Sequence, residues 1–243
     1  MPILSQFLRS PSDSSDSDNA AGAANGRGRI PSDGTHDFGS DIIKKRKAVY
    51  YRAKEIYTTE HTYVEDLNLL HIDFRQAVKD AGGAKVIPDD DLGKIFGNLK
   101  ELLTFNSDLL GDLRSRIEGW ESRREIADIF VKKGPFLQLY STYMSNHQDA
   151  MSHLSQCRKK YPGFGAVVKE FQSRKALKGL EIEHYFLTPV QRLMRYKIML
   201  EAYLKALSKD AADYESAMKA LSIVTEVANR ANKHMTINVR IVM

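Results

Sequence analysis

From Ile42 onward apolar residues recur at steps of three and four, the spacing that lines one face of an α-helix. Val49, Ala53, Ile56, Tyr63, Leu67, Leu70 and Phe74 form one such stripe and predict a helix over about 46–80, roughly 50 Å long. The loop AGGAKVIP at 81–88 ends it, and Asp89, Asp90 and Asp91 open the next, since carboxylates favour a helix N-terminus. That second helix carries Leu92 through Ile117 and ends near Trp120. A short helix at 124–131 precedes Gly134-Pro135, a break or kink, and another runs from Phe136 to about Arg158. Pro162-Gly163 opens a helix stopped by Lys178-Gly179. Tyr185 to about Leu207 and about 213–236 complete the series. Only TINVRIVM at 236–243 suggests the start of a strand. The expected fold is all-α, an elongated bundle of six or more helices over 42–236, with 237–243 an extension or truncated linker.

Two positions break the pattern. Glu60 occupies an apolar place in the first stripe, where an unpaired buried carboxylate would cost several kcal/mol, so it needs a partner. Two readings stand: an ion pair with a neighbouring helix, or a stripe that surfaces there and offers the carboxylate to another protein. The second break lies in YFLTPVQRLMRYKIML at 185–200. Its apolar residues cover most of a helical circumference, which marks a core helix, yet Thr188, Gln191, Arg192 and Arg195 share one polar sector. Thr188-Pro189 fits a helix start, with Thr as N-cap and Gln191 reaching back.

Charge refines the picture. Residues 1–41 are rich in Ser, Asp, Gly and Ala, with three Arg against six Asp, a net of −3; they read as a disordered acidic tail, and a regulatory role would make its deletion raise activity. The total of +5 therefore leaves +8 on the rest, which suits an acidic protein partner or peripheral contact with an anionic membrane, while dispersed charge argues against nucleic acid. No apolar run is long enough to cross a bilayer, and the N-terminus has too short an apolar region for a secretory signal, so the expected address is cytoplasmic, with recruitment to membrane or cytoskeleton. A single cysteine, Cys157, excludes an internal disulfide framework and reads as a helix residue without a role. The seven histidines show no metal spacing with carboxylates, and no phosphate-binding Gly-rich loop is present. No catalytic constellation, metal site or cofactor is expected, so the chain reads as a non-enzyme.

The motif TEHTYV at 59–64 followed by DLNLL at 66–70 resembles the first signature of the Dbl-homology domain, the exchange module for Rho-family GTPases. FLTPVQRLMRY at 186–196 resembles the third signature, IADIFV with FLQLYSTY between 126 and 143 the second, and VANRAN at 227–232 the end of the last long helix. Arg195-Tyr196 and VKEFQ at 168–172 resemble the faciogenital-dysplasia-like and FERM-containing subgroups.

The resemblance implies a monomeric module that binds a Rho-family small GTPase (Rac-like, Rho-like or cell-division-cycle type) and stimulates GDP release by remodelling its switch regions. It implies that Glu60 holds switch one, Asn232 engages switch two, Val190 senses which GTPase is bound, and Gln191, Arg192 and Arg195 support that surface. Two departures stand out: Thr188 occupies a place where the family often has a switch-contacting Lys, and Lys197 one where it often has Pro. The rival readings are a membrane-associated helical scaffold and a module that binds GTPase without exchange.

Overall fold

The computed structural model describes the backbone of residues 35–241 and the side chains of 41–233. The first helix, α1 (Thr35–Asn68), passes through a widened π turn (Leu69–Phe74) into α2 (Arg75–Asp80) without leaving helical backbone angles. Its start at Thr35 falls inside the stretch read as tail; residues 1–34 lie outside the described residues. Every member of the predicted stripe from Ala53 to Phe74, Glu60 included, is buried, and Val49 packs at its edge.

The second predicted helix is two. α3 (Asp89–Phe96) stops at Gly97, whose φ of 51° and ψ of −133° suit only glycine, and α4 (Leu99–Glu118) resumes on a new axis. Asn98 fixes the corner by donating its Nδ2 to the Leu139 carbonyl at 3.0 Å. The short α5 (Ala127–Lys133) runs into a 3-10 turn at Gly134–Leu137 and then α6 (Gln138–Lys160), as the Gly-Pro pair predicts. α7 (Pro162–Gln172) opens on its proline, and Lys178 takes the left-handed conformation before α8 (Ile182–Ala206). The last helix, α9 (Tyr214–Ile241), continues through 236–241, so the strand expected there is a helix. Among the described residues there is no strand and no helix apolar enough to span a membrane.

α8 is the central element. It packs on α1 along one side and on α6 and α9 along others, which accounts for the apolar coverage of its circumference. α1 in turn packs on α4, and α9 on α5 and α6, giving one contiguous core. α5 is pinned by a remote residue: the buried Asp213 carboxylate accepts from the backbone N–H of Ile126 at 2.7 Å and of Ala127 at 2.9 Å, and from the Tyr203 hydroxyl at 2.7 Å. These are N-terminal amides that the helix cannot satisfy itself. A second buried charge, Lys133, bonds Asp108 and lies 3.1 Å from Asp112, tying α5 to α4.

Candidate functional site

The polar sector of α8 begins at an irregularity. The helix starts at Ile182, so Thr188 is not its cap and Pro189 sits inside it. The proline has no N–H for the Tyr185 carbonyl one turn earlier, and Thr188 Oγ1 donates to that carbonyl instead, at 2.8 Å. The Tyr143 hydroxyl donates to the adjacent Phe186 carbonyl at 2.8 Å. Thr188 thus repairs the ladder that Pro189 interrupts, a local role different from the capping expected of it.

One turn on, Arg192 is 2 % exposed and meets Glu60, which is fully buried. Arg192 Nη2 donates to Glu60 Oε2 at 2.5 Å, and its guanidinium lies between the rings of Tyr63 and Tyr196, 4.9 and 4.6 Å from their centroids. The Tyr196 hydroxyl stands 2.7 Å from Glu60 Oε2 and 2.9 Å from Asn106 Oδ1. With one proton to give, it serves the carboxylate, the stronger acceptor, and leaves Asn106 Oδ1 to the Tyr140 hydroxyl at 2.8 Å. Burial opposes the charge on Arg192, but the Glu60 carboxylate outweighs it and pushes the guanidinium pKa up. The same burial, with Glu60 beside it, raises the Tyr196 phenol well above its ordinary value, so it remains a donor. Of the two readings of Glu60, the structure therefore shows the ion pair with a neighbouring helix.

Above this pair lies a groove of about 270 Å³ between α1 and α8, lined by Thr58, Thr59, Thr62, Tyr63 and Asp66 on one wall and Thr188, Gln191, Arg192 and Arg195 on the other. Four of the seven candidate residues, Thr188, Gln191, Arg192 and Arg195, converge here, with Glu60 beneath the floor. Val190 faces the core at the side of the groove, and Asn232, half-buried on α9, is not part of its lining. Asp66 has its pKa raised by burial against the opposing pull of Lys178, His184 and Arg195.

The RhoGEF domain family model matches residues 52–232, a span that contains both walls of this groove and reaches Asn232 on α9. The chain belongs to the RhoGEF family. Its curated relatives include the human FYVE, RhoGEF and PH domain-containing protein 6, 45 % identical over 78 % of this chain, and rat FYVE, RhoGEF and PH domain-containing protein 4, 35 % identical over 74 %. The chain spans only 14 % and 24 % of the lengths of those relatives. Among solved structures, the DH domain of FARP2 superposes with a TM-score of 0.71 at 26 % identity, covering 80 % of this chain and 93 % of that one. The DH/PH domains of PDZ-RhoGEF, crystallised with GTP-γ-S-activated RhoA, share the fold at a TM-score of 0.71 and 19 % identity, over 81 % of this chain and 57 % of that one. The subgroup resemblance of the sequence agrees with these relatives.

Within this RhoGEF domain, the α1 wall was not anticipated. Thr58, Thr59 and Thr62 form an unusual density of a poor helix former in a long helix, and Thr59, Thr62 and Asp66 share one face at steps of three and four. That density was the available signal. Lys197, without an account in the sequence, is about one-third exposed and pairs with Glu201 at 3.7 Å one turn on. Away from the groove, His153 Nε2 is 3.0 Å from Asp91 Oδ1 on another helix, and the pair lies against Cys157.

Proposed function

We propose that this RhoGEF domain accelerates GDP release from a Rho-family small GTPase docked over the α1–α8 groove. The observation that supports this most directly is the convergence of the first and third signature motifs, TEHTYV and PVQR, on the two walls of one polar groove. Family membership over 52–232 and shared fold with DH/PH domains seen in complex with RhoA support it further. In this reading no covalent bond is made by the domain. It binds the nucleotide-free GTPase more tightly than the GDP-bound one, and that difference in affinity lowers the barrier to release.

In this reading Glu60 is not an exposed contact before the GTPase docks. Its Oε2 is bonded to Arg192 and Tyr196 and the side chain is fully buried, so contact with switch one requires a rotamer change that opens it toward the groove, with Arg192 as the group left to compensate. Asn232 and Val190 act at the flanks, on α9 and α8. Thr188, whose hydroxyl is taken by the Tyr185 carbonyl, offers the GTPase little of what a Lys there would. That observation favours a second reading, a domain that binds GTPase with weak exchange. The proposed setting is cytoplasmic and monomeric, with peripheral membrane recruitment through the basic stretch Lys44–Lys47.

Release of a fluorescent GDP from Rac-like, Rho-like and cell-division-cycle-type GTPases tests the proposal. Stimulation of at least one is expected. Binding of nucleotide-free GTPase with no change in rate would select the second reading, and neither binding nor stimulation across the panel would remove both.

A further inference from the structure

We propose that Asp91, His153 and Cys157 form a binding site for a transition-metal ion of the zinc class, at the junction of α3, α6 and α7. His153 and Cys157 stand one turn apart on α6, which places both on one face, and Asp91 reaches them from the first turn of α3. One ligand atom from each lies within 4.8 Å of the others. Tetrahedral coordination at ordinary zinc bond lengths sets ligand atoms roughly 3.3–3.8 Å apart, so small rotamer adjustments close the set. Sequence spacing alone hides this site because the third ligand comes from another helix.

The donor chemistry selects the ion. One imidazole, one thiolate and one carboxylate suit zinc, cobalt or nickel and are poor for calcium or magnesium, which want oxygen alone. Two anionic donors neutralise a divalent charge, and three protein ligands leave one coordination position open. Cys157 is buried while His153 and Asp91 are partly exposed, so the thiolate closes the inner side and the open position faces outward. Outside the ligand set, the Tyr161 hydroxyl donates to Asp91 Oδ2 at 2.8 Å, an interaction that orients the carboxylate as outer-shell partners of metal ligands do.

The same groups account for a stable metal-free form. Asp91 is then held by His153, Tyr161 and, at 3.9 and 4.0 Å, the ammonium groups of Lys94 and Lys160. Both lysines are about two-thirds exposed, so they can withdraw when a cation arrives. Bound metal would tie the start of α3 to the end of α6, next to the proline that opens α7. None of these residues lines the α1–α8 groove, so the proposal stands or falls apart from the exchange function.

Cobalt(II) gives a clean test, because Cys157 is the only cysteine in the chain and any thiolate-to-cobalt charge-transfer band must report it. Titration of the reduced full chain with Co²⁺ is expected to give one equivalent with that band, displaced by Zn²⁺ and unaffected by Mg²⁺ or Ca²⁺. Cys157→Ser should abolish the band. Because Cys157 is buried and its variant could unfold, His153→Gln and Asp91→Asn provide the second arm, each weakening Co²⁺ by at least about tenfold. Zn²⁺ should also raise the unfolding temperature of the wild type and not that of His153→Gln. Absence of the band in the wild type, or a band and stoichiometry unchanged in His153→Gln and Asp91→Asn, overturns the proposal.

Discussion

Glu60 and Asp213 are both carboxylates removed from water inside the same bundle, and their surroundings differ in kind. Asp213 accepts at Oδ2 from two backbone N–H groups and a tyrosine hydroxyl, with no cation bonded to it; its pKa is raised by burial, against the pull of those donors. Glu60 is bonded to an arginine side chain and a tyrosine, beneath an open groove. Backbone donors cannot change partners without unravelling a helix. Side chains can, at the cost of a rotamer. Asp213 is therefore a clamp on α5, and the Glu60–Arg192 pair is an arrangement that a docking protein is able to reorganise.

The largest effect expected follows from separating the pair. Glu60→Ala leaves Arg192 charged and unpartnered in the core, which should destabilise the domain by about 3–5 kcal/mol in denaturant unfolding. Exchange should be lost with it, so activity of this variant alone does not separate a role at the site from a role in the core. Glu60→Gln combined with Arg192→Met should recover most of that stability, since a neutral replacement removes the buried charge along with its partner. If exchange remains absent in that folded double variant, the pair serves the GTPase and not only the core.

Next in size is Asp213→Ala, which orphans three donors and should cost about 2–3 kcal/mol. Exchange per folded molecule should stay at the wild-type level, measured at a temperature where the variant is fully folded. Loss of exchange there would erase the distinction between the two carboxylates. At the groove itself, Arg195→Glu is an exposed change expected to shift unfolding by no more than about 0.5 kcal/mol. It should slow GDP release about tenfold, a loss of roughly 1.4 kcal/mol in transition-state binding.

The smallest effect comes from histidines outside both networks. Burial lowers the pKa of His71 and of His147. Their folded-state values lie below the unfolded one, so the unfolded chain binds the extra proton, and stability falls as pH drops through about 6.5. Unfolding midpoints at about pH 7.5 and about pH 5.5 should show the decline, reduced in His147→Gln.

Most of the helices were legible because burial imposes a period, and the stripe from Ala53 to Phe74 needed nothing else. The misplaced boundaries share a cause: backbone geometry at single residues that apolar periodicity does not report. The corner at Gly97 looked like helix because its apolar neighbours keep the period, and α8 begins at Ile182, three residues before the expected Tyr185, with Thr188-Pro189 inside it where a local reading makes them a cap. The site followed the same division. Residues on α8 shared a polar sector and came together as expected, whereas the partner of Glu60 lies 132 positions away and periodicity does not reach that far. Asp91, on another helix from His153 and Cys157, was hidden for the same reason.

Pro189 also divides α8 as a cooperative unit. The hydrogen-bond ladder lacks the rung from residue 189 to the Tyr185 carbonyl at the turn bordering the groove, and the threonine hydroxyl that fills it comes from within the segment Ile182–Thr188 and adds no link across the proline. Local opening of that segment need not propagate into the residues that carry Arg192 and Arg195. Amide exchange read along α8 should therefore show a step at the proline, with slower exchange on the C-terminal side.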